Sequence, residues 1–174
     1  PGYWFRTDSD GRLTSASGCG NDSASERAMV RKFIVDSVKY WASEYNISGF
    51  RFDLMGLHDI ETMQEVRKEL SAIDPTIIII GEGWNMGTHP IEIRSNQSNI
   101  QKLDGIAVFN DQIRDGIKGS VFTASDKGFA TGTFGKKNNV MAGIVGNTDF
   151  ASNILPAFTT LSPAQSVNYV EAHD

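Results

Sequence analysis

Gly49-Phe50-Arg51-Phe52-Asp53-Leu54-Met55-Gly56 is a short apolar run that delivers a carboxylate where the run ends and glycine follows. Gly81-Glu82-Gly83-Trp84 repeats the arrangement after four consecutive isoleucines, Ile77 to Ile80. Val167-Asn-Tyr-Val-Glu-Ala-His173-Asp174 brings a third acid to the end of the chain. Ionised oxygens lose hydration when buried, and Asp and Glu are poor strand residues. An acid at a strand tip therefore has a chemical reason to be there. Three of them point to a carboxylate-based active site.

Working outward, residues 1–22 are rich in Gly, Ser, Asp and Asn and read as irregular. Ser23 or Ser25 is expected to cap a helix with Glu26 in its first turn. Val30, Phe33, Ile34, Val38, Trp41 and Tyr45 recur at helical spacing as its apolar face, and the helix is expected to end near Asn46. A strand then runs from Gly49 to Asp53. A second amphipathic helix covers Ile60 to Ile73, with Met63, Val66, Leu70 and Ile73 inward, until Asp74-Pro75 stops it. Thr76 to Glu82, apolar on both faces, reads as a buried parallel strand. Residues 83–102 read as a polar connection with a short helix around Ile91 to Ser95. Gly105 to Phe109 is a third strand, with Asn110 capping a helix through Ile117. Residues 119–146 read as a Gly-, Ser-, Thr- and Asn-rich excursion, and Val167 to Val170 as a fourth strand.

Strands alternating with helices imply βαβ units and a parallel sheet. A doubly wound sheet and an eight-fold barrel both fit that alternation. The strand ends favour the barrel, whose catalytic groups come from the C-terminal tips of several strands, where Asp53, Glu82 and Asp174 lie. A doubly wound nucleotide binder would carry a glycine-rich phosphate loop, and neither G-x-G-x-x-G nor a P-loop occurs.

The bulk composition narrows the function classes. The 174 residues, 40% hydrophobic and 21% charged, suit a globular protein. The net charge of -5 and the lack of a Lys/Arg stripe give no electrostatic basis for binding nucleic acid. The run Ile77 to Ile80 is too short to span a membrane. Pro1 does not read as a natural start, so a signal peptide is not judged from this end. Cys19, the single cysteine, excludes an internal disulfide and a Cys-based zinc site, and reads as a small residue in a tight loop. His89, followed by Pro90 in a polar stretch, is expected at the surface.

Cleaving an acetal such as a glycosidic bond takes one carboxylate to attack or steady the sugar carbon and one acid to protonate the departing oxygen. Arg51 precedes Asp53 by two residues, so on a strand both side chains leave one face and the cation keeps Asp53 ionised. Glu82 stands beside Trp84, where less solvent favours its protonated form. His173 and Asp174 carry hydrogen-bonding groups suited to sugar hydroxyls.

The segments 49–56, 81–84 and 169–174, in this order, resemble glycoside hydrolase family 13 and look most like its type I pullulanase branch, the starch and pullulan debranching enzymes. Tyr3-Trp-Phe-Arg6 and Ser17-Gly-Cys-Gly-Asn-Asp22 resemble the loop before the fourth barrel strand of those enzymes. The resemblance implies an α/β fold that is part of a (β/α)8 barrel, about strands 4 to 7 with their helices. Residues 1–174 would be a partial catalytic domain, with the N-terminal and C-terminal parts of the barrel missing. It implies Asp53 as nucleophile, Glu82 as acid and then base, and Asp174 as a transition-state stabiliser. Arg51 would hold Asp53, His173 would contact the same sugar, and Trp84 would offer an apolar platform.

The implied reaction is hydrolysis of α-1,6-glucosidic links in pullulan, starch or glycogen with retention, for which the Asp53 and Glu82 carboxyls lie about 5–5.5 Å apart. An α-1,4-acting amylase-type enzyme of the same family is the alternative. The partner would be an α-glucan polysaccharide, with no nucleic acid and no membrane. No cofactor is required for the chemistry, no residue is assigned to a metal, and a structural calcium in the parent has no assignable ligands here. Location is open, with a secreted or cell-surface parent favoured. The sequence departs from the family pattern at Asn85, where Asp is usual, and at His58, where an apolar residue is more common.

Two rivals come from other classes. Asp, Glu and His at strand ends also bind divalent cations, but the three histidines form no H-x-H or H-E-x-x-H pair. An inactive glycan-binding or assembly fragment is the second, because an incomplete barrel leaves open sheet edges and apolar faces.

Overall fold

The computed structural model describes residues 2–173, and these divide between Ile106 and Ala107 into two compact units. Asp174 lies outside the described residues. In the first unit α1 (Ala28–Tyr45) leads to β1 (Gly49–Phe52), α2 (Ile60–Ile73) and β2 (Ile78–Gly81). β1 and β2 pair in parallel, with Arg51 opposite Ile80 and Phe52 opposite Gly81. The second unit holds β3 (Ala107–Asn110), α3 (Asp111–Lys118), α4 (Lys137–Ile144) and β4 (Ser166–Asn168). β3 and β4 are also parallel, Phe109 facing Val167 and Asn110 facing Asn168. Each unit is thus a βαβ arrangement with two parallel strands, the mixed α/β class that the alternation predicts.

α2 follows its expected course. Asp59 caps it by accepting from the Thr62 amide at 3.0 Å, and Met63, Val66 and Leu70 are fully buried on one face. Each of these side chains contributes about 1.5–3 kcal/mol relative to exposure. Ile73, expected inward, is half-exposed at the last turn.

α1 departs from the reading in two ways. It starts at Ala28 behind Arg27, which makes no side-chain cap. Ser25 instead turns inward, donating to Asp59 Oδ2 at 2.7 Å and accepting from the Asp59 amide at 2.9 Å. The buried stripe is Val30, Val35, Val38 and Ala42, while Phe33, Trp41 and Tyr45 are exposed. The helix carries two apolar stripes. α1 packs against α2, and of the two stripes the one with smaller residues is the buried one.

β2 also differs: Ile79 is 2% exposed but Ile78 is 62% exposed, so the strand is buried on one face only. The expected helix near Ile91 is a 3-10 turn, Ile91–Ile93, followed by another at Gln97–Lys102. The excursion 119–146 contains α4, whose Asn-Asn-Val-Met-Ala-Gly composition hides the helical period. Asn110 caps α3 as expected, accepting from the Ile113 amide at 3.2 Å. Its Nδ2 donates to Asn147 Oδ1 at 2.9 Å and Ser166 Oγ at 3.0 Å, tying β3 to β4 and to the turn after α4.

Candidate active site

β1 and β2 end side by side, and each releases its acid at that end. Arg51 on β1 joins them. Its Nη1 lies 3.0 Å from Asp53 Oδ1 and its Nη2 lies 2.7 Å from Glu82 Oε1. The spacing argument placed this cation on Asp53; the guanidinium in fact spans both carboxylates. Planar and permanently charged, it presents two N–H edges in a fixed fork, which suits such a bridge.

The two acids sit in unlike surroundings. The Asp53 side chain is 70% exposed, open to an incoming molecule, whereas that of Glu82 is 16% exposed. Glu82 Oε2 accepts from the Leu54 amide at 2.8 Å. The turn after β1 is moulded onto the segment after β2. The Gly56 amide donates to the Glu82 carbonyl at 2.9 Å, and the Glu82 amide donates to the Phe52 carbonyl at 3.1 Å. A β-carbon on Gly56 would stand 2.1 Å from the Trp84 carbonyl oxygen, so only glycine allows this approach.

Trp84 is half-buried in that same segment. Asn85 Oδ1 accepts from Ser98 Oγ at 3.0 Å and so holds the loop with a neutral group. His173 belongs to the second unit and is exposed, and Asp174 lies outside the described residues. Of the six candidate residues, Arg51, Asp53 and Glu82 are bonded together, and Trp84 neighbours them in the chain. Among the described residues no group of three or more His, Cys, Asp or Glu side chains is placed to hold a metal ion. Nor is any helix long and apolar enough to cross a membrane.

Sequence reasoning missed the Leu54 amide, because a backbone donor leaves no mark in residue type. The glycines at 56 and 81 were the available signal of close approach. It also misplaced His89, which is 6% exposed rather than at the surface. Burial, aided by the charges of Arg6 and Arg94, pushes His89 down to about 4. The Arg94 guanidinium donates to the His89 carbonyl and draws the loop inward. Burial also pushes His58 down to about 4, Asp59 opposing and Arg6 adding to the shift. Both histidines are neutral near pH 7, and His58 directly follows the turn at 55–57.

No family model matches the chain. Over its whole length it is 44% identical to a pullulanase of Bacillus subtilis and 31% identical to the chloroplastic pullulanase 1 of Arabidopsis thaliana. The chain spans about a quarter of these relatives, 24% and 23% of their length. The solved pullulanase of Paenibacillus barengoltzii in complex with maltohexaose and alpha-cyclodextrin superposes on the whole chain with a TM-score of 0.94 at 48% identity. The chain corresponds to 27% of that structure.

Proposed function

We propose, from the chain's homology over its full length to one segment of the pullulanases, that the parent protein hydrolyses α-1,6-glucosidic links in α-glucans such as pullulan, starch or glycogen. The observation that carries the reading is the single guanidinium of Arg51 spanning Asp53 and Glu82. It holds two carboxylates of unequal exposure side by side at the ends of adjacent parallel strands, which supports a nucleophile and an acid acting as a pair. The chain then corresponds to about strands 4 to 7 of a (β/α)8 barrel, its carboxylates at the C-terminal strand ends where such barrels carry their chemistry.

In this reading Asp53, the more open acid, attacks the anomeric carbon. The glycosidic C–O bond breaks as Glu82 gives its proton to the leaving oxygen. Glu82, now a carboxylate, takes a proton from water, whose oxygen bonds to the anomeric carbon and releases Asp53. Two inversions give net retention. Arg51 orients both acids throughout. By homology Asp174 and His173 bind ring hydroxyls of the same sugar, and Trp84 offers an apolar platform. The chemistry needs no cofactor.

The test is reducing-sugar release from pullulan by the full-length protein. Asp53→Asn or Glu82→Gln lowers kcat about 10²- to 10⁴-fold while substrate binding persists. Full activity in either variant overturns the assignment. The released product separates the α-1,4-acting alternative. Cutting α-1,6 links turns pullulan into maltotriose, whereas cutting α-1,4 links leaves trisaccharides that retain an α-1,6 bond.

A further inference from the structure

We infer that Leu54 is a positioning residue for the acid Glu82, acting through its backbone amide. The inference rests on the proposed reading and deepens it. Leu54 has φ 45° and ψ 42°, the left-handed region that a bulky L-residue seldom occupies. Such strain persists only where the surroundings over-determine it. Here they do. Met55, fully buried, packs under Gly81, and Gly56 lies against the Trp84 carbonyl while donating to the Glu82 carbonyl. Both neighbours of Leu54 toward the C-terminus are thus pinned to the β2 end.

The consequence of the left-handed turn is the direction of one N–H. It lies 2.8 Å from Glu82 Oε2, while Arg51 Nη2 holds Oε1 at 2.7 Å. A carboxyl held by one donor swings about its side-chain bonds. Held at both oxygens from two elements, it has one orientation. Arg51 also serves Asp53, so the Leu54 amide is the contact made to Glu82 alone. Arg51 positions the pair, and Leu54 points the acid at the leaving oxygen.

The role is separable from a structural one by leaving group. Fluoride departs without protonation, so kcat/KM for α-maltotriosyl fluoride reports attack by Asp53 with little help from an acid, whereas kcat/KM for pullulan needs Glu82 aimed correctly. In the full-length protein, Leu54→Val puts a β-branched residue where the left-handed region is most disfavoured. It is expected to lower kcat/KM for pullulan about ten- to hundredfold and that for the fluoride less than about threefold. Leu54→Gly, which adopts the turn freely, is expected to keep the parent ratio between the two substrates. If Leu54→Val does not fold, Leu54→Thr, also β-branched but polar at this half-buried position, makes the same comparison.

Equal losses on both substrates in whichever of Leu54→Val and Leu54→Thr folds overturn the inference and make Leu54 merely structural. Glu82→Gln run beside them checks the premise. If it shows no selective loss on pullulan, the acid assignment itself has failed. If it does and the Leu54 variants do not, the assignment stands and only the role of Leu54 falls.

Discussion

Met55 Sδ stands 2.6 Å from the point that a β-carbon on Gly81 would occupy, and Met55 Cβ stands 2.7 Å from it. The glycine that ends β2 is therefore the floor on which the turn after β1 rests. Gly81→Ala must push Met55 and with it Leu54 and Gly56 away from the segment carrying Glu82. Overpacking of this kind costs about 1–3 kcal/mol. The expected outcome is a lower melting temperature together with a loss of pullulan hydrolysis. An alanine variant as stable and as active as the parent would show that the turn yields freely.

Acid weakens the first unit through its two buried histidines. His58 and His89 are held at about 4 in the folded protein, against about 6.5 in an unfolded chain. Between those values the unfolded chain binds more protons, so stability falls as pH drops from about 6.5 to about 4. Each histidine contributes a slope of about 1.4 kcal/mol per pH unit in that window. Denaturant melts of His58→Leu at a series of pH values are expected to show the slope reduced by about one such increment. An unchanged slope would mean that His58 titrates normally.

Asp59 gathers four partners at the start of α2. Burial pushes its carboxyl up. The Thr62 and Ser25 hydroxyls, the Thr62 amide and the Arg31 charge outweigh that and hold it below the usual range. A depressed carboxylate stabilises above its unfolded value of about 3.9, and the contribution is lost as pH falls through the lower folded value. Asp59→Ala leaves Arg31, 3.0 Å away, without this acid and removes the cap. Arg31 keeps Glu61 at 2.9 Å, so the loss expected by chemical denaturation at neutral pH is that of the cap and of the acceptor for Ser25 and Thr62, about 1–3 kcal/mol.

In the second unit the corresponding point is Asn110. It is fully buried, caps α3 and donates to Asn147 and Ser166. Asn110→Ala strands the Asn147 oxygen and the Ile113 amide, at a cost of about 2–4 kcal/mol. Hydrogen exchange at the Ile113 amide should quicken in the variant. Protection equal to the parent would assign the cap to another group.

The elements that were legible in the sequence are those with one unambiguous period. α2 is readable from Ile60 to Ile73 because Met63, Val66 and Leu70 fall on a single stripe and Asp74-Pro75 stops it. β1 and β2 are readable because glycine and carboxylate punctuate them. α1 was misjudged in its buried face, since two apolar stripes compete on it and only a neighbouring helix chooses. α4 does not stand out because it is only eight residues long and Asn138, Asn139 and Gly143 weaken the helical signal among them. His89 was placed outside because a local reading of His-Pro does not register that Arg94, five residues on, binds its carbonyl.

For the site the division is similar. Residue order determined that Arg51, Asp53 and Glu82 stand at strand ends, because two-residue alternation along a strand and the glycines that stop it are properties of the local chain. Only the tertiary structure decided that one guanidinium spans both acids. It also decided that Glu82 is sheltered while Asp53 is open, and that the Leu54 amide meets Glu82. These depend on the register that sets Phe52 beside Gly81 and on the close approach of Gly56 to Trp84. Such contacts join residues about thirty positions apart, and no spacing rule within one segment encodes them.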